Sequence, residues 1–395
     1  MTTSALQIDV LSSVDDLAAV DWDGCAAPAG APFNPFVSHA FFHCLEQSGS
    51  AAPRTGWTPR HVVAREAGRV IGLAPCYLKS HSRGEYVFDY GWAEAYERAG
   101  GRYYPKLQVS VPFTPATGPR LCVRPDAADA GGVRAALAQG LITLCRTHHA
   151  SSVHATFLPR HEWQALSGLG FLPRTDQQFH WDNAGYGSFD DFLAALAARH
   201  RKAIRRERRE ALQHGVTIHQ LTGDDITEDA LDAFFAFYME TGSRKWGRPY
   251  LTRAFYTLVG EHLRKHVLLV MARRDGRWIA GAINFIGSDT LFGRHWGALE
   301  HHPFLHFEVC YYQAIDFAIR HGLAHVEAGA QGEHKIARGY RPRLTYSAHY
   351  IADPALRRAV ADYLARERAY VALAARELTE TGPFRRDGDK PAGPS

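Results

Sequence analysis

The chain has no long hydrophobic run, no paired cysteines and, between Gly297 and Gly322, no glycine at all. No apolar stretch in it approaches the ~20 residues needed to span a bilayer. Its first residues, MTTSALQIDVLSSVDDLAAV, carry acids where a secretory signal carries bases, and they lack an uninterrupted apolar core. A cytoplasmic protein with no transmembrane segment is expected. The six cysteines (Cys25, Cys44, Cys76, Cys122, Cys145, Cys310) are scattered without a CxxC pair, which argues for free buried thiols and against a zinc site or a disulfide framework. His302 and His306 stand four apart with Glu308 close by, but there is no HExxH and no third histidine at a fixed distance, so no metal is expected. The net charge of +4 is too small to imply a partner by itself.

What is present fits a globular enzyme. An apolar fraction of 46% supplies a core, and 395 residues are enough for two domains. A pattern occurs twice. HVVAREAGRVIGLAPCYL (61–78) resembles HVLLVMARRDGRWIAGAINFI (266–286): a strand ending in Ala-Arg, a Gly-Arg turn, then a strand with Ile and Gly. VHATFLPRHEWQALSGLGFLPR (153–174) parallels VEAGAQGEHKIARGYRPR (326–343), each a strand, a polar turn, a short helix and Gly-aromatic-x-Pro-Arg. Two matching blocks in one order predict duplicated domains, 1–182 and 183–381, followed by a disordered tail, 382–395. Tyr86–Gly91 reads as a third strand of the first copy. A Pro- and Gly-rich insertion, 96–124, interrupts that copy; Tyr103, Tyr104, Lys106 and Gln108 are its notable side chains, with Tyr104 and Lys106 expected to bind substrate.

The second copy opens with a basic helix, 188–215, capped by Ser188 or Asp190 and stopped at Gly215. Arg199–Arg209 holds seven positive charges and one negative, a net +6 that exceeds the charge of the whole chain. Arg201, Lys202, Arg205 and Arg206 therefore make a candidate anion site for cofactor phosphates or nucleic acid. A solvated face paired with Asp224, Asp225 and Asp229 fits the same residues.

Two polar turns mark the candidate active site. A strand over Thr290–Trp296 leads into one, a helix over Phe307–His321 follows, and a strand over Ala324–Ala328 leads into the other, Gly329–Lys335. In a strand–helix–strand unit such turns share the sheet edge where ligands bind. Acyl transfer to an amine needs a base and donors for the oxyanion. Glu308 or His306 suits the base, with Glu300 and Tyr311 in the same catalytic set. Arg294, His295, Gln331, Glu333, His334 and Lys335 are the candidate substrate contacts, and Glu327 belongs to the same polar group of the second turn. The equivalent turn of the first copy, Leu158–Glu162, is poorer in carboxylates, and a degenerate, structural copy is expected there.

The order helix, hairpin, third strand, helix, strand, short helix resembles the GNAT acyltransferase fold, an α/β (α+β) class. Two copies in tandem resemble the FemABX group, which adds amino acids to peptidoglycan precursors from aminoacyl-tRNA. YYPKLQVSVPFTPATGPRL (103–121), RHWGALEHHPFLHFEVCYYQAIDFAI (294–319) and EAGAQGEHKIARGY (327–340) resemble a FemAB-like bacterial family labelled peptidoglycan biosynthesis or recognition. The resemblance implies two GNAT-like acyl-CoA N-acyltransferase domains. It also implies an acyl-CoA or aminoacyl-tRNA donor and an amine acceptor: a small molecule, a peptide or an amino sugar. One departure matters. GNAT proteins cradle the CoA pyrophosphate on a glycine-bearing loop after the fourth strand, whereas Glu300-His-His-Pro-Phe-Leu-His-Phe-Glu308 has no glycine. A non-catalytic module for a peptide or glycan, and a tRNA binder working through the basic helix, stay open beside the transferase.

Overall fold

A computed structural model of the chain describes residues 6–246, 249–330 and 332–385. The described chain forms two compact units. The first takes Met1–Asp176, Tyr250–Arg264 and Leu344–Val371, and the second takes Gln177–Pro249, Lys265–Arg343 and Ala372–Ser395. Each unit is thus built from three separate lengths of chain, whereas the sequence suggests two continuous halves.

The repeated blocks fold alike. His61–Glu66 and Arg69–Ala74 form one antiparallel hairpin; Val267–Arg274 and Arg277–Ile286 form the other. Ala67-Gly68 and Asp275-Gly276 link them with φ of +48° and +79°, and +48° and +75°. Positive φ at both positions is the two-residue turn whose twist matches that of paired strands. Both ladders also shift register at the same Ala-Arg step, between Ala64 and Arg65 and between Ala272 and Arg273. The residues skipped opposite those steps are Ile71 and Ile279, and both are buried. A shared bulge is a specific feature, so the likeness of the two copies goes deeper than composition.

In the first unit the hairpin is flanked by Gln7–Leu11 and Cys122–Val123. A further set of strands runs Trp57–Pro59, Cys76–Lys79, Lys106–Val109, Ser152–Leu158 and residues 344–351 of the last strand; only Lys106–Val109 and Ser152–Leu158 are parallel. The helix Ala130–Thr147 sets Val133, Leu137 and Leu141 into a core with Val62, Leu107 and Val153. Each such leucine contributes roughly 1.5–3 kcal/mol on burial.

In the second unit the strands lie in the order Thr217–Thr222, Val267–Arg274, Arg277–Ile286, Thr290–Ala298, His325–Glu327, then residues 177–182 of Leu172–Asp182. Thr290–Ala298 and His325–Glu327 are parallel neighbours, and the other pairs are antiparallel. The helix Glu228–Trp246 lies close on this sheet: a Cβ on Gly297 would stand 2.0 Å from the Phe237 carbonyl oxygen. Among the described residues no helix is long and apolar enough to cross a membrane.

Three expectations need correction. Tyr86–Gly91 is not a strand; residues 80–89 form no regular element, and a helix runs over Tyr90–Arg98. The basic helix is two helices, Phe189–Ala195 and Ala198–Ala211, capped at the start by Ser188. The break at Leu196-Ala197 has a physical cause: Leu196 bridges Phe384, Ala197 N–H donates to the Pro383 carbonyl (2.9 Å) and Arg385 N–H to that of Ala195 (3.2 Å). The same bonds hold residues 383–385 of the tail expected to be disordered, while 386–395 lie outside the described residues.

Candidate active site

The site starts with a fault in one strand. Along Thr290–Ala298, His295 pairs with Ile283 and Gly293 with Asn284, so Arg294 is the extra residue of a bulge. Pairing to the parallel neighbour covers only Thr290–Phe292 against His325–Glu327. From the bulge onward the two strands part. Gly293 lies against the Glu327 carbonyl, where a Cβ would approach to 3.1 Å. The bulge and the end of pairing coincide, as bulges commonly do at active sites.

Beyond the strand, Phe304 takes φ +61° and starts a helical stretch, Leu305–Arg320, whose middle, Glu308–Tyr312, is a π turn. Such turns recur at functional sites because they re-aim side chains. The end of the strand, the turn after it and the first helical residues line an open cavity of about 500 Å³ with Glu240 and Thr241; Trp296, Glu300, His302 and His306 are among its walls. Glu300 is held by Arg274 (3.2 Å) and His302 (3.0 Å). His306 packs between Trp296 (5.1 Å between centroids) and Tyr311 (5.3 Å). The second turn comes near His306 without lining the cavity: Tyr311 Oη is 3.1 Å from His334 Nε2, and the His306 and His334 rings are 6.4 Å apart. Burial, with Arg338 and Lys335 adding to it, holds His334 below the usual imidazole range, and burial raises the Tyr311 phenol.

Glu308 lies deeper. It is fully buried, and its oxygens accept from Arg208 Nε and Nη2 (3.0 Å each) and Gln313 Nε2 (2.7 Å). It does not line the cavity, and neither does Glu327. Beside it, Arg338 forks onto Glu207 (2.9 and 2.8 Å), bonds Tyr312 Oη (3.0 Å) and covers the Phe307 ring at 3.5 Å. The basic helix therefore carries two ion pairs that anchor the turn Glu333–Arg338 and the π turn. Neither Arg208 nor Arg338 stood out in the sequence, since each is one arginine among many.

Lys335 donates to the carbonyls of Ala328 (2.5 Å) and Gly329 (3.3 Å), and burial brings its amine down to about 8. His295 meets the Tyr238 ring edge-on at 5.0 Å and is held neutral by burial and by Arg294. Gln331 and the side chain of Glu333 lie outside the described residues. One acid of the second turn remains. Glu327 ends its strand opposite the bulge, and burial raises its carboxyl to about 8 against the pull of Arg294, with Asp289 adding to the rise. His180, 4.0 Å from it, is pushed down to about 4 by burial. The sequence groups Glu327 with Gln331, Glu333, His334 and Lys335 without singling it out as a base.

Tyr104 and Lys106 belong to the first unit, within a network of its own. On the basic helix, Arg201 bonds the Leu196 carbonyl (3.4 Å), Arg205 pairs with Asp190 (3.0 Å), Arg206 with Glu210 (3.6 Å), and Lys202 is exposed. Among the described residues no group of three His, Cys, Asp or Glu stands close enough to hold a metal ion.

The chain matches the model of the FemAB-like family, described as peptidoglycan biosynthesis/recognition, over residues 13–386. No curated protein matches it in sequence. Among solved structures it is similar to FemX, at 12% identity and a TM-score of 0.51, over 80% of this chain and 93% of that one. It is similar also to a conserved protein of unknown function from Bacteroides thetaiotaomicron, at 12% identity and 0.50, over 87% and 99%. A tandem GNAT protein from the clavulanic acid biosynthesis pathway aligns at 16% identity and 0.49, over 89% and 99%. At these identities the likeness to FemX is one of fold, and the two units with their repeated hairpins are the expected pair of tandem GNAT-like domains.

Proposed function

The chain belongs to the FemAB-like family, and on that premise we propose that it is an N-acyltransferase acting on an amine acceptor of the peptidoglycan-precursor kind. The observation that carries this reading is the parting of two parallel strands at the Arg294 bulge, with Glu327 at its foot and the cavity beside it. A donor laid in such an opening presents its acyl carbon at the carboxyl ends of both strands, where an activated thioester of the acyl-CoA type is the donor we favour.

The chemistry follows from the groups present. The acceptor amine attacks the acyl carbon, the new C–N bond forms, and the C–S bond breaks with the electron pair leaving on sulfur. The amine proton passes to the Glu327 carboxylate, whose raised value suits a base working near neutrality. Arg294 supplies positive charge at that carboxylate and toward a developing oxyanion. His306 and the Tyr311–His334 pair form the wall that orients the acceptor, and Glu308 serves by fixing Arg208 rather than by moving a proton.

Titration calorimetry of the full chain with acetyl-CoA and with a longer acyl-CoA tests the donor. Micromolar binding, with turnover lost but binding kept in Glu327→Gln, is the expected result. Binding with no turnover on any amine would make the protein a recognition module. Binding of neither thioester overturns the CoA donor and favours a second reading, an aminoacyl-tRNA donor held on the exposed Lys202, Arg205, Arg206 and Arg209. That reading requires affinity for tRNA to fall steeply with salt.

A further inference from the structure

The first unit buries a polar sheet face. Side chains alternate along a strand, so Leu107, Val109, Val153 and Ala155 enter the core while their neighbours face the other way. Those neighbours include Lys79, Lys106, Gln108, His154, Thr156 and His349, each at most 2% exposed. A sheet with one face on its core usually gives the other to water. Here residues between Lys79 and Lys106 fold back over it.

Both lysines find their anionic partners in that covering stretch. Lys106 Nζ donates to Ser82 Oγ (2.7 Å), Glu85 Oε2 (2.6 Å) and Asp89 Oδ2. Tyr103 Oη donates to Asp89 Oδ2 (2.7 Å). Lys79 Nζ sits 3.5 Å over the Trp57 ring, donates to the Arg83 carbonyl (3.2 Å) and lies 3.8 Å from Glu85 Oε1. The carboxylates thus come from residues 82–89, which form neither helix nor strand, while the lysines stand on strands.

Acceptors are in excess there. Glu85 Oε1, Asp89 Oδ1 and Gln108 Oε1 are closed off from solvent without a hydrogen bond. Buried acceptors are ordinarily matched by donors, and leaving one unmatched is costly. Charge leans the same way. Burial, reinforced by Lys106 and Arg83, brings Lys79 down to about 6 against the pull of Glu85, and burial pushes His154 down to about 3. Glu85 is raised to about 7 by burial, with Asp89 adding to the rise against Lys106 and Lys79. Above pH 7, therefore, two carboxylates face the single positive charge of Lys106. The rings of Tyr103 and Tyr104 lie 5.7 and 6.0 Å from Lys106 Nζ, and aromatic faces beside carboxylates are ammonium-binding chemistry.

We propose that the first unit carries an ammonium-recognising site at this cluster, in which a ligand's primary amine pairs with the carboxylates of Glu85 and Asp89 beneath residues 82–89. Tyr104 is half-buried, and its hydroxyl lies 2.8 Å from Ser82 Oγ, so a chain of polar contacts leads from the surface to Lys106. Phe88 and Tyr90 stack on the outside of the cover, 59% and 47% exposed. The site binds and does not react, and it is independent of the acyl-transfer reading.

The same chemistry is offered by a small amine and by a peptide amine. Full-length protein at pH 8 is titrated with ethylamine, with an N-acetylated tripeptide containing lysine, and with ethanol as neutral control, read by calorimetry and thermal shift. Saturable binding of at least one amine is expected, weakened tenfold or more in Glu85→Gln and Asp89→Asn and unchanged in Glu327→Gln. Ethylamine alone binding assigns a small-amine ligand; the tripeptide alone binding assigns a peptide. Loss in Glu327→Gln with retention in Glu85→Gln would put the amine at the second unit and overturn the proposal, as would amines that behave like ethanol. Should either variant fail to fold, a crystal of the native chain soaked in ethylamine decides: a ligand nitrogen within hydrogen-bond distance of Asp89 Oδ1 supports the site, and water alone there overturns it.

Discussion

Removing the Arg208 guanidinium separates the two roles open to Glu308. The carboxylate is fully buried and receives two bonds from Arg208 and one from Gln313. Arg208→Ala leaves the charge buried with Gln313 alone. Breaking a buried pair from one side costs about 3–5 kcal/mol. Arg208 keeps 27% of its side-chain surface, so water replaces part of the loss and the lower end applies. About 3 kcal/mol corresponds to a melting point roughly 6–12 °C lower for a unit of this size. Glu308→Gln keeps the shape but turns charge-assisted bonds into weaker ones, a loss of about 2 kcal/mol. Arg208→Met combined with Glu308→Leu removes both charges and should fall within about 1 kcal/mol of the native chain. Urea unfolding of the full chain, followed by far-ultraviolet circular dichroism, measures all four proteins. An Arg208→Ala variant as stable as the native chain would refute the reasoning. So would a double variant carrying the sum of the single losses. A Glu308→Gln variant that keeps full stability yet loses all turnover would return Glu308 to the role of base.

Two further outcomes follow from particular atoms. Gly297→Ala places a Cβ 2.0 Å from the Phe237 carbonyl, and backbone cannot swing aside as a side-chain tip can. A loss at or above the usual overpacking range of about 1–3 kcal/mol is expected in the same unfolding assay. Glu327 is raised to about 8 when folded, against roughly 4.3 in an unfolded chain. The protonated acid is then favoured by folding, so its stabilising contribution is complete below the unfolded value and is lost as pH rises through about 8. Glu327→Gln should flatten stability against pH across that window. If Glu327 is the base, native turnover should climb through about pH 8 and the variant should show no such limb.

Local order was legible wherever one short pattern decided it. The Asp275-Gly276 turn, the Ser188 cap and the alternation along the strands are set by residues next to one another, and the hairpins came out as read. The failures share a cause. Tyr86–Gly91 has the composition of a strand, but Glu85 and Asp89 are drawn onto Lys106 and the segment has no partner strand. The basic helix breaks where a residue almost two hundred positions later, Phe384, pairs with Leu196. The buried cluster of the first unit joins Lys79, Asp89, Lys106, His154 and His349, whose spacing along the chain is too wide for any motif. For that reason the first copy reads as degenerate from its Leu158–Glu162 turn, although its ionisable groups lie elsewhere. At the second site the two turns were visible, and the structure brings Tyr311 to His334 as their shared edge requires. Where the two parallel strands part depends on a one-residue bulge at Arg294, and a bulge has no signature in composition.

The threading of the chain through its two units has a practical consequence. A gene cut at residue 182 does not yield two modules. The amino-terminal fragment would lack residues 344–351, and with them the strand that pairs with Ser152–Leu158, from Tyr346 opposite Leu158 to Ile351 opposite Ser152. That fragment would present a bare, apolar strand edge, the usual template for self-association. It would lose His349, the neighbour of His154, at the same time. Any dissection of this protein must carry the segments Tyr250–Arg264 and Leu344–Val371 along or join them by linkers; a ribosome, likewise, has to release residues 344–351 before the first unit can close.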